Sequence, residues 1–367
     1  MSADGHGLPD NAVLGAHDMI HHAEQEEHEH EAAAKRGLPD KAIEAEYDFM
    51  HHAEDELAKM ESAKRDTYRV PMATIVTTAP PPVLALNGAK PEKRNVSTVI
   101  NYYRDPGDGS PPMPVKISEK TVKNERPTIA KPTVIHDVTG DENKYTLDLN
   151  GFQFCQRPTQ LCDADFHDIE LVEAKYYPEA RQLLKDITGA SRVHVFDHKT
   201  RVGPSNWHKL GEGNRTTRGP LFRAHVDQSY AGAELVLRRH FPDEADDLVK
   251  RRYQIINIWR PIKTIYKDPL AVADASSVPD SDLLAASILY PRGARDETWT
   301  MLPNDAHQWY FKNAQEPNEV LLIKCFDSAM TPGLARRVPH SAFEDPDMAD
   351  SRHRESIEAR ALVFYDD

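Results

Sequence analysis

The stretch "YQIINIWRPI", residues 253–262, is apolar and rich in β-branched and aromatic residues, as is typical of a strand buried in a sheet. Two similar runs follow it, "EVLLIKCFDS" at 319–328 and "ARALVFYD" at 359–366. Pro, Gly, Asp or Asn bounds each run, which indicates turns between strands. The pattern lacks the regularly alternating helices of a parallel α/β sheet. It therefore favours an antiparallel β-sandwich or barrel with flanking helices.

Patterns in the preceding part of the chain add elements around this core. "VSTVINYY" at 96–103 and "RVHVFDH" at 192–198 predict two more strands. A helical pattern begins at about Asp168 and ends near Gly189, since glycine commonly follows the last turn of a helix. A further helical insertion is predicted over roughly 233–252. The sequence thus predicts a mainly β fold with flanking helices.

The N-terminal segment contains a repeat: "GLPDNAVLGAHDMIHHAEQE" begins at Gly7 and "GLPDKAIEAEYDFMHHAEDE" begins at Gly37. In each copy a proline followed by an aspartate is typical of the first turn of a helix. We interpret residues 1–66 as an acidic, His-rich helical hairpin. Its histidines either chelate a metal or, as we favour, lie on a solvated face. Pro-rich residues 67–95 predict an extended linker, which leaves 96–367 as the main domain.

The composition excludes several classes of protein. The formal net charge is −14, so we expect no nucleic-acid partner. Three cysteines at irregular spacing indicate neither a disulfide framework nor a zinc ribbon. The polar N-terminus does not resemble a secretory signal, and no apolar run is long enough to span a membrane. We therefore expect a cytoplasmic protein without a membrane partner.

The stretch "RAHVDQSYAG", residues 223–232, resembles half of an iron site. On a strand, His225 and Asp227 point to the same face, so both can bind one metal ion. Two histidines and one carboxylate on one face of an octahedron leave three positions open, which suits non-haem Fe(II). An H-x-D pair alone is common by chance, so a second histidine from a distant strand is required.

The third ligand is sought among the remaining histidines. His340 follows the predicted strand 319–328 and precedes the terminal strand, and it is our preferred candidate. His307, in "NDAHQWYF", is its main rival. The alternative interpretation of His307 is that it lines the pocket or has a structural role.

Arginines near the C-terminus offer a binding site for a dicarboxylate. Arg354 and Ser356 stand at the start of the last strand, and a guanidinium with a hydroxyl can hold the far carboxyl of such a molecule. Arg360 and Arg352 are alternative cations. We favour Arg354, because it is followed by Ser356 in an R-x-S arrangement.

Several motifs occur in a fixed order: "HVDQS", "QIINIWRPI", "DPLAVAD", "HQWYF", "LLIKCFDS", "VPHSAF" and "RESIEARALVFY". Together they resemble the AsaB-type hydroxylase/desaturase family over roughly residues 150–367. This fungal group includes a gibberellin desaturase and is related to bacterial cephalosporin 7α-hydroxylase. The resemblance implies a double-stranded β-helix (jelly-roll) core, Fe(II) as the metal, and 2-oxoglutarate and O₂ as co-substrates. It also implies hydroxylation or desaturation of a small molecule in fungal secondary metabolism.

The resemblance implies His225, Asp227 and His340 as iron ligands and a C-terminal arginine as the 2-oxoglutarate anchor. Three further residues are weaker candidates for contact with the substrate. Arg260 either binds a carboxylate near the iron or forms a buried ion pair. Phe343 and His307 either face the substrate or belong to the core. Lys324, in an apolar strand, is either paired or functional.

Two other functions compete with this one. The first is a non-haem iron oxidase that does not use 2-oxoglutarate. The second is a non-catalytic β-barrel binding protein whose N-terminal hairpin recruits a partner, either another protein or a second copy of the chain. The complete ligand set argues against the second function, which returns if His225, Asp227 and His340 do not converge.

Overall fold

The computed structural model describes residues 92–118, 122–207 and 218–366, and they form a mainly β fold with few helices. The predicted hairpin at 1–66 and all but the last residues of the predicted linker lie outside the described residues. In the part that is described, no helix has the length and apolar character needed to cross a bilayer.

The strands are β1 (Val96–Tyr103), β2 (Val115–Ile117), β3 (Val122–Lys123), β4 (Thr128–Asp137), β5 (Phe152–Gln156), β6 (Arg192–Arg201), β7 (His225–Val226), β8 (Tyr253–Pro261), β9 (Leu270–Ala273), β10 (Leu283–Leu289), β11 (Arg295–Met301), β12 (Trp309–Phe311), β13 (Glu319–Asp327), β14 (His340–Ala342) and β15 (Ser356–Phe364). The helices are α1 (Ile169–Leu171), α2 (Tyr177–Thr188), α3 (Tyr230–His240) and α4 (Ala245–Leu248), with a π-helical turn over Val172–Tyr176 between α1 and α2. Short 3-10 turns occur at Glu142–Lys144, Asp163–His167, Ala275–Ser277, Asp280–Asp282, Pro291–Gly293 and Pro346–Met348.

The described strands form two sheets. The order of the larger sheet is β1-β4-β12-β9-β14-β7-β11-β10-β2-β3, and that of the smaller sheet is β5-β13-β8-β15-β6. Neighbouring strands are antiparallel except for the β12–β4 and β10–β2 pairs. The prediction of mainly antiparallel sheets is therefore correct, although these two pairs depart from it. The sequence pattern missed most of the short strands of the larger sheet.

The apolar run at 253–262 is continuous because β8 is covered on both faces. Every residue of β8 is buried. Ile255 and Trp259 belong to an apolar cluster that joins the two sheets, whereas Ile256 and Ile258 pack with residues of α2 in a second cluster. A strand that is buried on both faces loses the polar alternation of a half-exposed strand. The odd-numbered side of β8 therefore faces the interior between the two sheets.

The predicted helix near 168–189 is present, but it is built from α1, the π-helical turn and α2. Gly189 caps α2 with φ 70°, a left-handed conformation that glycine adopts without steric cost. The insertion predicted over 233–252 contains α3 and α4, with α3 beginning three residues earlier than expected. The last strand also begins earlier, at Ser356, which brings Ser356 and Glu358 into the sheet.

Lys324 is paired and not free, which resolves the alternatives left open by the sequence. Its Nζ atom lies 3.0 Å from Asp327 Oδ2, and both side chains are 0% exposed. Nζ also lies 3.1 Å from Asp148 Oδ1, whose side chain is 63% exposed. Gln254 and Arg252 donate further hydrogen bonds to the Asp327 carboxylate. Lys324 is thus part of a buried structural network at the end of β13.

Replacing Asp327 with alanine should lower the free energy of unfolding by about 3–5 kcal/mol, because Lys324 would remain buried without its fully buried counter-ion. Urea unfolding measures this loss. Asp148→Ala, which removes the exposed partner, should cost less than about 1 kcal/mol. Equal losses in the two variants would contradict the interpretation.

The same pair should make stability depend on pH. Burial would raise the pKa of Asp327, but the hydrogen bond from Arg252 and the Lys324 charge hold it below its ordinary value. The stabilisation by the ionised Asp327 carboxylate is therefore complete above the pKa of about 3.9 that an aspartate has in the unfolded chain. It is lost as the pH falls through the pKa of Asp327 in the folded protein. The stability difference between wild type and Asp327→Ala should shrink below about pH 4.

Candidate metal centre

The predicted iron ligands come together because two short strands are neighbours in the larger sheet. β7 and β14 are antiparallel, and His340 stands directly opposite His225. The two imidazole rings are 4.4 Å apart between centroids. Asp227 follows β7 directly, so its carboxylate reaches the same point. Strand pairing therefore brings together residues that are far apart in the sequence.

The three side chains each offer one ligand atom to a common point. Asp227 Oδ1 lies 3.2 Å from His225 Nε2 and 3.7 Å from His340 Nε2. Among the described residues, this is the group of His, Cys, Asp or Glu whose ligand atoms could hold a metal ion, and these atoms all lie within 4.8 Å of one another. Two imidazoles and one carboxylate fit the donor set preferred by non-haem Fe(II).

The surroundings favour the metal-binding form of both histidines. His225 Nδ1 lies 2.8 Å from the Arg223 carbonyl oxygen, so Nδ1 carries the proton and Nε2 is left as a donor to the metal. His340 is buried, and burial together with the neighbouring His225 lowers its pKa to about 4. A neutral imidazole at ordinary pH is the state that binds a metal ion.

The carboxylate of Asp227 is held by one of its two oxygens. Oδ2 accepts a hydrogen bond from Asn257 Nδ2 at 2.8 Å and lies 2.9 Å from Arg360 Nη2. Burial would raise the pKa of Asp227, but the charge of Arg360 holds it well below its ordinary value. Oδ1 is the oxygen that faces both histidines. This arrangement directs a single oxygen of Asp227 toward a metal ion.

Arg360 is committed to carboxylates already present. Besides Asp227, its Nη2 atom lies 2.9 Å from Glu358 Oε1, and Nη1 lies 3.2 Å from Asp197 Oδ2. Burial alone would lower the pKa of Arg360, yet Asp227 and Glu358 hold it above its ordinary value. Asn257, Arg360 and Asp197 are direct cross-strand neighbours on β8, β15 and β6. They form one polar row across the smaller sheet, and two of them, Asn257 and Arg360, contact the ligand Asp227.

Arg354 differs from Arg360 because it has no carboxylate partner among the described residues. Its side chain is buried, and Nη1 donates to the Asp268 carbonyl oxygen at 2.9 Å. The Nε atom has no hydrogen-bond partner within the described part of the chain. Burial, then the nearby Arg201 charge, lowers the pKa of Arg354 to about 9. The guanidinium also lies 5.7 Å from the Trp259 ring.

One cavity contains the three ligand side chains and both arginines. It lies between the two sheets, where the charged residues are surrounded by a few apolar ones. Its lining residues are Arg201, Leu221, His225, Asp227, Trp259, Leu270, His340, Arg354, Glu358 and Arg360. The exposed Arg352 is not among them, and its Nη2 atom donates to the Thr264 carbonyl oxygen at 3.4 Å.

Three residues predicted to contact the substrate do not line this cavity. Arg260 lies on the even-numbered side of β8, where it donates to Tyr176 Oη and to the Pro317 carbonyl oxygen. The alternation of side chains along β8 turns it toward α2 and away from the ligands. Among the described residues, Arg260 contacts neither a metal ligand nor a carboxylate.

His307 and Phe343 lie in a separate region of the larger sheet. His307 Nε2 lies 2.9 Å from Asp282 Oδ2, and its Nδ1 lies 3.3 Å from Tyr102 Oη. Phe343 is fully buried, and its ring packs edge-on against Phe311 at 5.1 Å. Both side chains are occupied by contacts within the core. The convergence of His340, and not His307, with His225 agrees with the preferred candidate.

Sequence reasoning missed Asn257 and Arg201. Asn257 had a detectable signal, because an amide inside a fully apolar strand must bind a partner. Arg201 had no detectable signal, because the alternating pattern that predicts its strand is clear only up to residue 198. Its position in the cavity depends on the pairing of β6 with β15.

Comparison with known proteins identifies relatives over the same part of the chain. A family model described as "Oxidoreductase/YMDC permease-like domain" matches residues 100–364. The hydroxylase/desaturase efuI of Hormonema carpetanum is 37% identical over 292 residues, covering 74% of this chain and 96% of that protein. The alpha-ketoglutarate-dependent dioxygenase tstK of Talaromyces stipitatus is 31% identical over 272 residues, covering 73% and 96%.

A solved structure has the same fold. The iron and alpha-ketoglutarate-dependent endoperoxidase NvfI matches with a TM-score of 0.64 and 22% identity, over 74% of this chain and 99% of that chain. The family predicted from the sequence motifs is therefore confirmed by relatives that the chain covers almost completely. This protein belongs to the asaB-type hydroxylase/desaturase family of oxidoreductases, whose named members include alpha-ketoglutarate-dependent dioxygenases.

Proposed function

We propose that this chain is an Fe(II)- and 2-oxoglutarate-dependent dioxygenase that hydroxylates or desaturates a small molecule in fungal secondary metabolism. The observation that carries the proposal is the convergence of His225, Asp227 and His340 at one point of the cavity. Family membership adds independent support, because relatives more than 30% identical carry these activities in their names.

In this proposal His225, Asp227 and His340 hold Fe(II). Bound Fe(II) with 2-oxoglutarate would supply the activation of O₂ and the removal of a substrate hydrogen, with succinate and CO₂ as by-products. The chain's own contribution is to fix the three ligands. Asn257 and Arg360 hold one oxygen of Asp227, so that the carboxylate offers the other and leaves metal positions open for co-substrates.

Arg354 is the proposed anchor for the far carboxylate of 2-oxoglutarate, whereas Ser356, at the start of β15, is buried but is not among the residues that line the cavity. Its buried guanidinium lines the cavity and has no carboxylate partner among the described residues, so hydrogen-bond donors are available to a ligand. Arg360 would have to leave Asp227, Glu358 and Asp197 to take this role. This comparison supports Arg354 over Arg360.

The finer description of the fold is also a proposal. We infer that the two sheets are the two halves of a double-stranded β-helix (jelly-roll), with the metal centre between them. Residues 96–367 would form this oxygenase domain, a range that contains the family match at 100–364. Residues 1–66 would form an accessory helical hairpin after which 67–95 act as a linker. A cytoplasmic location and a partner of the hairpin stay predictions from the sequence.

Anaerobic titration of the full chain with Fe(II) and then 2-oxoglutarate tests the function. We expect a weak visible charge-transfer band that saturates at one Fe(II) and one 2-oxoglutarate per chain. Admission of O₂ should then release succinate from 2-oxoglutarate. Iron binding without the band would support the oxidase that does not use 2-oxoglutarate. Failure to bind iron would support the non-catalytic binding protein.

A further inference from the structure

Residues of opposite charge face each other across β6 and β15, with one exception. Cross-strand neighbours on the face toward the metal ligands are Asp197 with Arg360, Lys199 with Glu358, and Arg201 with Ser356. Directly opposite residues in an antiparallel pair place their side chains on the same face. The first two pairs combine opposite charges. In the third pair, the cation stands opposite a neutral hydroxyl.

Arg201 has no carboxylate partner among the residues that the structure describes. Its Nη1 atom donates to the Gly219 carbonyl oxygen at 2.9 Å, and the described residues accept no other hydrogen bond from this guanidinium. Glu358 lies on the same face, but its Oε1 accepts hydrogen bonds from Arg360 Nε and Nη2. Burial lowers the pKa of Arg201, and the charge of Glu358 opposes this shift.

Arg201 and Arg354 therefore form a pair of like charges in one cavity. The charge of Arg201 adds to burial in lowering the pKa of Arg354. Arg354 is buried and Arg201 is partly buried, and neither has a carboxylate partner among the described residues, so their proximity is unfavourable unless an anion joins them. The cavity therefore has the charge expected of an anion-binding site.

We propose that Arg201 is a second cation of the 2-oxoglutarate anchor, which binds the far carboxylate of the co-substrate together with Arg354. A carboxylate has two oxygens and about four acceptor sites, so it can accept hydrogen bonds from both guanidiniums at once. This inference rests on the proposed function. It adds that the cavity recognises the far carboxylate through β6 and through the segment that precedes β15.

Paired ligands can test this contact without knowledge of the substrate. 2-Oxoglutarate and 2-oxopentanoate share the chelating keto-acid end, but the second carries a methyl group in place of the far carboxylate. Their dissociation constants are measured from the charge-transfer band of the anaerobic Fe(II) complex. Arg201→Met should raise the Kd of 2-oxoglutarate roughly ten- to a hundredfold, while the Kd of 2-oxopentanoate changes less than about threefold.

Control variants separate the contact from general damage. Arg201→Lys keeps the charge and should recover part of the lost 2-oxoglutarate affinity. Arg192→Met removes a guanidinium from the opposite end of β6, where it pairs with Glu244 on the surface, and should leave both constants unchanged. Thermal unfolding of each metal-free variant verifies that it is folded.

Two results would overturn the proposal. An unchanged 2-oxoglutarate Kd in Arg201→Met would show that Arg201 does not contact the co-substrate. Equal weakening of both keto acids would show that the variant disturbs the metal centre and not the far carboxylate. Absence of the band in wild type is a different outcome, because it would contradict the proposed function itself.

Discussion

Replacing His340 with alanine should abolish the charge-transfer band of the Fe(II)–2-oxoglutarate complex and weaken Fe(II) binding by more than about a hundredfold. The expected loss exceeds the 10- to 100-fold effect of removing a group that only orients a ligand, because His340 supplies one of three ligand atoms. His340 is buried beside His225 and Asp227, so no other described side chain is placed to replace it. Equilibrium dialysis with Fe(II) and the anaerobic absorption titration measure the two effects.

His353→Ala is a matched control for this variant. His353 lies in the same C-terminal part of the chain, but its side chain is exposed and outside the cavity. Its loss should leave iron binding and the band unchanged. Retention of full Fe(II) affinity in His340→Ala would contradict the ligand assignment. His307→Ala then becomes the next variant to measure, since His307 was the rival candidate.

Arg354→Gln should raise the Kd of 2-oxoglutarate by about a hundredfold and leave Fe(II) binding almost intact. The reason is that Arg354 lines the cavity without touching a metal ligand, whereas its guanidinium is available to a carboxylate. A lost charge-assisted pair in a buried site is worth about 1.5–3 kcal/mol, or roughly one to two powers of ten in Kd. The same two titrations measure both constants.

Arg360→Gln should give the opposite result. Because Arg360 holds Asp227 Oδ2, its loss should weaken Fe(II) binding by roughly ten- to a hundredfold before any specific effect on 2-oxoglutarate. Arg352→Gln is the control for both variants, since Arg352 is exposed, lies outside the cavity and donates to the Thr264 carbonyl oxygen. If Arg360→Gln instead weakens only 2-oxoglutarate, then Arg360 and not Arg354 is the anchor.

Much of the candidate site followed from local sequence alone. His225 and Asp227 stand two residues apart, so their proximity required no knowledge of the rest of the chain. The long apolar runs at 253–262 and 319–328 identified β8 and β13, because burial on both faces leaves a continuous signal. The ordered motifs identified the family. Each of these features is a property of neighbouring residues or of their order.

The tertiary structure decided which distant residues meet. Strand pairing placed His340 opposite His225, and it placed Arg201 opposite Ser356. Side-chain alternation turned Arg260 away from the metal centre, although it lies near Asn257 in sequence. The fold also pairs Arg360 with three carboxylates, whereas Arg354 has no carboxylate partner among the described residues. The periodicity of a sequence predicts which side chains of one strand share a face. Cross-strand partners depend on the pairing of segments that are far apart in the sequence, and no local pattern encodes that pairing.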